Sequence, residues 1–302
     1  MQQTANNPSR TDSLSDGLTT IYHGDCLRIL ENIPDESVDL IFLDPPYNIG
    51  KKFCDFKDSW PSDDEYATWC FSWLDICIRK LSKKGSMYLM TSTQAMPFLD
   101  IWIRGRMQVL SRIIWHYDSS GVQAKKFYGS LYEPILYCVK DVDNYVFNAS
   151  AIEVEAKTGA VRKLIDYRKP VPTPYKTTKI PGNSWYFPRV RYRMAEYQEH
   201  PTQKPEAMLE RVILASSNPG DVVLDPFSGT FTTCAVAQRL GRKSIGIEMQ
   251  ETYFKIGARR LKLASEVNGE VLTEIDKNYI RRNGSRPTVG AQPTLELWNA
   301  ES

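Results

Sequence analysis

Residues 44–47 read Asp44-Pro45-Pro46-Tyr47, directly after the largely apolar run Val38-Asp39-Leu40-Ile41-Phe42-Leu43. A carboxylate accepts from an N–H, consecutive prolines fix the backbone and the carbonyls it carries, and a phenol ring offers a face for stacking. At the end of a strand these groups make a planar clamp for an amino group on an aromatic heterocycle. Asp44 and the Pro45 carbonyl take one amino hydrogen each, and Tyr47 stacks on the ring. An exocyclic amine of a nucleobase has these requirements. The competing reading is a strand closed by a Pro-Pro turn with a buried tyrosine.

A second constellation lies far downstream. Asp225-Pro226-Phe227-Ser228-Gly229-Thr230 separates an expected strand from an expected helix, and Glu248 ends the next strand about twenty residues on. This is the layout of a nucleotide-type pocket, with a tight turn, a helix N-terminus and an acid for ribose hydroxyls. The phosphate-cradling Gly-x-Gly-x-x-Gly is absent from the sequence. That points to an adenosine ligand without phosphate, such as S-adenosylmethionine. Just upstream, His200-Pro201-Thr202-Gln203-Lys204-Pro205 opens a helix, and Thr202 and Lys204 are expected to reach a carboxylate there. The carboxylate of an amino acid suits that position.

Net charge is only +2, but it is unevenly distributed. From Lys157 to Arg193 there are ten Lys or Arg against the single acid Asp166, interleaved with Tyr167, Tyr175, Trp185, Tyr186, Phe187 and Tyr192. Basic and aromatic residues in alternation suit nucleic acid. The six cysteines form no Cys-x-x-Cys pair and there are three histidines, so neither disulfides nor a bound metal are expected. No cysteine follows a proline, which disfavours methylation at carbon 5 of cytosine. No apolar run reaches membrane-spanning length. The expected location is the cytoplasm, with nucleoid association through DNA.

The elements that must position these residues alternate between strand and helix. Strands are expected over 20–23, 38–43, 86–91, 109–117, 135–140, 222–224 and 244–247. Helices are expected after Gly24-Asp25 up to residue 32, and over 63–81, 94–107, 205–216, up to 240 and up to about 264. Trp69, Trp73, Ile76 and Cys77 fall at helical spacing and are assigned to the core. The alternation predicts an α/β fold with a doubly wound, mostly parallel sheet. It stops over 141–199, where prolines at 170, 172, 174, 181 and 188 break regular structure. Residues 1–18 are expected to be a disordered arm, and 265–302 a partly disordered extension.

The whole pattern resembles the amino-group DNA methyltransferases of the permuted β type, in which the target-base motif precedes the recognition region and the cofactor motif follows. The resemblance covers about residues 20–263. Asp44 to Tyr47 match the family's catalytic motif, Asp225 to Gly229 its cofactor turn, and Glu248 its ribose acid. Residues 200–205 match the segment against the methionine part, and Gly24-Asp25 the strand end that meets the cofactor's adenine. Runs 117–126 and 181–185 are similar to solitary, adenine-specific members. One departure stands out: Phe231 occupies a position where many relatives carry a second glycine.

The resemblance implies a Rossmann-like methyltransferase with three parts: a catalytic half over 19–140, a target-recognition insertion over 141–199 and a cofactor half over 200–264. It implies methyl transfer from S-adenosylmethionine, leaving S-adenosylhomocysteine, to the N6 of an adenine flipped out of double-stranded DNA. Asp44, Pro45, Pro46 and Tyr47 would be catalytic. Asp25, Asp44, His200, Thr202, Gln203, Lys204, Asp225, Pro226, Phe227, Gly229, Thr230 and Glu248 would bind the cofactor. Lys125, Lys126, Arg168, Lys176, Arg189, Arg191 and Arg193 are assigned to DNA. The leading aspartate favours adenine over cytosine N4. An RNA methyltransferase and a DNA-binding protein without catalysis are the remaining alternatives. A homodimer would suit a short palindromic site.

Overall fold

The computed structural model describes residues 12–54, 56–118, 125–157, 163–168, 170–263, 266–267 and 270–271. Its centre is a nine-stranded sheet. In chain order the strands are β1 (Asp12–Ser15), β2 (Thr19–His23), β3 (Val38–Leu43), β4 (Leu81–Met90), β5 (Gln108–His116), β6 (Tyr132–Val139), β7 (Ser184–Tyr186), β8 (Val222–Asp225) and β9 (Lys243–Glu248). In space they run β1-β2-β9-β8-β3-β4-β6-β5-β7. Neighbours from β2 to β4 are parallel, as are β5 and β7, while β6 runs antiparallel to both β4 and β5, and β1 to β2.

The sequence explains why β3 sits in the middle. Leu40, Ile41, Phe42 and Leu43 are each at most 1% exposed, as expected of a parallel strand covered on both faces. Alternation divides them between two cores. Ile41 and Leu43 face Trp73 and Leu74, whereas Leu40 and Phe42 face Tyr88, Trp115 and Met208. The covering helices are α1 (Cys26–Glu31), α2 (Asp63–Lys80), α3 (Met96–Arg104), α4 (Glu206–Ser216), α5 (Thr232–Arg239) and α6 (Glu251–Arg260). Helix α2 starts where Ser62 accepts from the Glu65 amide at 3.2 Å and Asp63, Asp64 and Glu65 fill the first turn. Both features favour a helix N-terminus.

Two expectations need correction. Residues 12–15 lie within the arm expected to be disordered, yet Asp12 to Ser15 pair with His23 to Thr20 as an edge strand. Burial of Leu14 against Phe231 and Phe254 supplies the apolar contact that a polar composition concealed. Residues 1–11, and most of the 265–302 extension, lie outside the described residues. The 141–199 region is not wholly separate from the sheet either, because Ser184–Tyr186 joins it beside Ile114–His116. Elsewhere in that region the pieces are short: a 3-10 turn at Ala149–Ile152 and two-residue pairings of Val154–Glu155 with Thr178–Lys179 and Ile165–Asp166 with Thr173–Pro174.

Candidate active site

Four parallel strands deliver their C-terminal ends to one edge of the sheet: β2 into Gly24-Asp25, β3 into Asp44, β8 into Asp225 and β9 into Glu248. Ligands of open α/β sheets collect at that edge. A cleft of about 420 Å³ opens there. Its lining includes Asp25, the four residues 44–47, His200, Thr202, Lys204, Pro226, Phe227, Gly229 and Glu248.

The loop after β3 is rigidly held. Asp58, only 1% exposed, accepts from the Tyr47 amide at 3.1 Å and from the Lys51 amide. Tyr66 Oη donates to the Pro46 carbonyl at 2.7 Å. No hydrogen bond to the Pro45 carbonyl occurs among the described residues. Both oxygens of Asp44 are engaged: the Tyr47 hydroxyl donates to Oδ1 at 2.7 Å, and Lys204 Nζ lies 2.8 Å from Oδ2. The same Tyr47 hydroxyl lies 2.9 Å from Glu133 Oε2, Lys204 Nζ is 3.7 Å from that atom, and Tyr117 Oη donates to Glu133 Oε1 at 3.3 Å.

Burial raises the Asp44 carboxyl above its usual range, with Lys204 pulling it down and Glu133 pushing it up. Burial opposes the charge on Lys204, but the two carboxylates outweigh it and hold the ammonium above the ordinary lysine value. Burial and the flanking carboxylates keep the Tyr47 hydroxyl firmly protonated.

Lys204 lines the cleft, as the sequence suggested, but its ammonium is drawn between Asp44 and Glu133. A second cation at the cleft is Lys51, whose Nζ donates to the Pro201 carbonyl at 3.3 Å. Burial lowers its pKa, and Arg189 and Lys204 add to the effect.

The ends of β8 and β9 carry two buried acids. Asp225 accepts from Thr233 Oγ1 at 2.5 Å and from the Phe227 amide at 3.0 Å. Glu248 accepts from the Gly229 amide at 2.8 Å and the Gln250 amide at 2.7 Å, one on each oxygen. Burial pushes Asp225 up to about 7 and Glu248 up to about 8. Gly229 has φ +51° and approaches His200 so closely that a Cβ would lie 3.1 Å from His200 Nε2. Burial, with Lys204 and Lys51 nearby, lowers the His200 pKa to about 3, so its ring is neutral.

Three members of the expected cofactor set do not line this cleft. Asp225, Gln203 and Thr230 border a smaller cavity that shares Asp44, His200 and Lys204 with it. The Gln203 amide is spent on its own loop, with Nε2 donating to the Glu196 carbonyl and Oε1 accepting from the Gln198 amide, both at 2.6 Å. Conversely, Trp69 was assigned to the core but lines the cleft with Phe53, Phe56, Trp60 and Tyr253. Trp73, one turn further, is fully buried.

The basic residues differ in readiness. Lys125, Lys126, Lys176, Arg191 and Arg193 are exposed. Arg168 is exposed too, yet it forms a two-pronged pair with Asp166 at 2.8 and 3.0 Å. Arg189 lies 5.0 Å above the Tyr117 ring, close to the Asp44 cluster. Residues 119–124 of the 117–126 run are outside the described residues. Among the described residues no cluster of His, Cys, Asp and Glu suited to a metal occurs.

Sequence reasoning missed Glu133, Lys51 and Asp58. The legible sign for Glu133 was an acid heading the apolar run 135–139.

The chain is similar to known proteins over most of its length. A family model described as DNA methylase, of the N6/N4 methyltransferase type, matches residues 38–259. The DNA adenine methyltransferase YhdJ of Escherichia coli (strain K12) is 60% identical over 258 residues, spanning 85% of this chain and 87% of that protein. The type II methyltransferase M.HpaI of Haemophilus parainfluenzae is 34% identical over 245 residues, with 80% and 73% covered. Among solved structures, the M1.HpyAVI–SAM complex superposes with a TM-score of 0.52 at 26% identity, covering 80% of this chain and 99% of that one. The cytosine-N4-specific PvuII DNA methyltransferase has a TM-score of 0.65 at 19% identity, covering 87% and 93%, a likeness of fold alone.

Proposed function

The chain belongs to the DNA methylase family of the N6/N4 type, and from that membership we propose that it transfers a methyl group from S-adenosylmethionine to the N6 amino group of an adenine flipped out of double-stranded DNA. The observation that carries this reading is the Asp44 carboxylate, which ends β3 beside Tyr47 and borders the same cleft as Gly229 and Glu248. Adenine is favoured by the 60% identity to a relative named as an adenine methyltransferase, together with the leading aspartate of the motif.

The cleft suits an adenosine with an amino-acid tail. Glu248 keeps lone pairs beyond its two backbone donors for the ribose hydroxyls. Gly229 gives the close backbone approach, and Phe227, Trp69 and Tyr253 supply apolar walls. Asp25, whose Oδ1 caps α1 at the Leu27 amide at 3.0 Å, borders the adenine end. Lys51 meets the methionine carboxylate, with Thr202 and the neutral His200 beside it. When bound, the cofactor supplies an electrophilic methyl group on its sulfonium.

The target amine is a poor nucleophile because its lone pair is conjugated into the ring. Asp44 and the Pro45 carbonyl hold its two hydrogens, which favours a pyramidal nitrogen aimed at the methyl group, and Tyr47 stacks on the base. The rate then comes from alignment and from dipoles already in place. Extracting the base from the duplex costs a few kcal/mol, offset by stacking and hydrogen bonds in the pocket. Lys125, Lys126, Lys176, Arg189, Arg191 and Arg193 hold the phosphates, and the 141–199 region reads the site. Such a protein works in the cytoplasm, on the chromosome.

The check is chemical. Unmethylated duplex DNA and, separately, RNA are incubated with the protein and cofactor, then digested to nucleosides. N6-methyladenine from the DNA arm alone is the expected result. N4-methylcytosine, or product only in RNA, contradicts it.

A further inference from the structure

Methylating an amino group creates a proton that must leave. As the N–C bond forms and the S–C bond breaks, the nitrogen contributes its lone pair, becomes cationic, and sheds one of its two hydrogens. We propose that Glu133 is the outer end of a relay, Asp44 to Tyr47 to Glu133, that takes this proton away from the base; the proposal rests on Asp44 meeting the amino group as described above.

The geometry carries it. The Tyr47 oxygen stands 2.7 Å from Asp44 Oδ1 and 2.9 Å from Glu133 Oε2, so a single hydroxyl proton lies between two carboxylates from strands far apart in the chain. A hydroxyl so placed accepts a proton on one side while donating its own on the other. Asp44 takes the proton from nitrogen, its new carboxyl proton passes to the Tyr47 oxygen, and the Tyr47 hydroxyl proton passes to Glu133. At the end Asp44 is again a carboxylate, Tyr47 again a phenol, and Glu133 a neutral acid that loses its proton to water.

Exposure gives the direction. Asp44 borders the cleft that base and cofactor fill, so its 16% side-chain exposure disappears on binding. Glu133, 14% exposed, is outside that lining and keeps its access to water. The charge balance agrees. In direct contact, two carboxylates share the one ammonium of Lys204, which leaves room for one more positive charge. The other groups facing Glu133 are the neutral phenols of Tyr47 and Tyr117, with Arg189 and Lys51 further off as cations. Lys204, held above the ordinary lysine value, offers Glu133 no proton of its own at neutral pH.

Single-turnover methylation of a duplex substrate tests the relay, measured between about pH 6 and pH 9 for wild type, Glu133→Gln, Tyr47→Phe, the double variant and Asp44→Asn. Glu133→Gln keeps the shape and the Tyr117 hydrogen bond but removes the acceptor. Its rate should fall about tenfold or more at pH 7 with cofactor affinity and base flipping within about twofold, and should recover as pH rises and hydroxide takes over the proton. The double variant should be no slower than Tyr47→Phe, because both lesions break one relay. A Glu133→Gln rate within about twofold of wild type with an unchanged pH profile overturns the proposal, as do fully additive losses. If Glu133→Gln lowers the melting temperature, Glu133→Asp provides the control, and failure of the shorter acid to restore the wild-type pH profile also overturns it. Asp44→Asn separates the two levels: an active Asp44→Asn undoes the assignment of Asp44, whereas an inactive one beside a normal Glu133→Gln undoes the relay alone.

Discussion

Lys204 and Asp44 form an ion pair of 2.8 Å, with side-chain exposures of only 8% and 16%, so the acid proposed to meet the substrate amine is already charge-balanced by the segment leading into α4. That pair joins the two halves of the functional site. Lys204 lies more than a hundred residues after Asp44 and shares a cavity lining with Asp225 and Gly229. Removing one partner of an enclosed pair leaves the other without compensation.

Lys204→Met should therefore destabilise the protein toward the lower end of ~3–5 kcal/mol, because both carboxylates retain some solvent access. It should slow methyl transfer about tenfold or more, the scale of one lost charge-assisted contact. Cofactor affinity should change less than about threefold if, as proposed, Lys51 meets the methionine carboxylate. Thermal unfolding and calorimetry check the three parts. A selective loss of cofactor affinity would assign Lys204 to the methionine carboxylate instead.

Glu248 predicts a pH dependence of cofactor binding. Its folded carboxyl titrates at about 8, against an ordinary value of 4.5. A raised acid gives the free protein stability that is complete below 4.5 and is lost as pH rises through 8. The proposed ribose contact is stronger with the ionised form, so cofactor affinity should increase with pH up to about 8 and level off above it. Calorimetry at several pH values checks this. Glu248→Gln should bind more weakly and lose the slope, and an unchanged affinity would remove Glu248 from the site.

Phe231 fills the place of a glycine with an unusual compromise. Its backbone is left-handed, φ +57°, and its ring is fully buried against Phe254, where any Cβ on Gly246 or Gly257 would collide with it. The left-handed conformation costs a side-chain residue about 1–2 kcal/mol, whereas emptying a buried aromatic site costs about 3–5 kcal/mol. Packing wins. Phe231→Gly should destabilise by about 2 kcal/mol despite relieving the backbone, and a stabilised variant in thermal unfolding would reverse that ranking.

The basic residues should separate by their partners. Reversing charge at Arg189 and Arg191 together should weaken DNA binding at every sequence and flatten the slope of log affinity against log salt by about 2. Arg168→Ala should do much less, because Asp166 already holds that guanidinium. Equal effects from Arg168 and from the Arg189–Arg191 pair, in salt titrations of binding, would contradict this division.

The readable parts of the site were those that chain order places next to a strand end. Asp44, Gly229 and Glu248, which border the cleft, each close or follow an apolar run, so local pattern located them, and the parallel alternation around them fixed the sheet. Glu133 eluded that approach because it enters on the antiparallel strand β6, 86 residues from the Tyr47 hydroxyl it meets. No local spacing encodes such a contact. Lys204 was located, but its ion-pair partners were not, since the two carboxylates beside it come from elsewhere in the chain. Gln203 looked like part of a binding motif and serves its own loop. Trp69 followed a helical stripe correctly, but the stripe's outer edge is also the wall of the cleft. Leu14 anchored an edge strand that a polar stretch had hidden.

The central claim is that Asp44 clamps the target amine, and transfer of a labelled methyl group by Asp44→Ala tests it most directly, with cofactor binding measured on the same sample. The account predicts cofactor affinity within about threefold of wild type and no detectable N6-methyladenine. Methylation within about tenfold of wild type would contradict it.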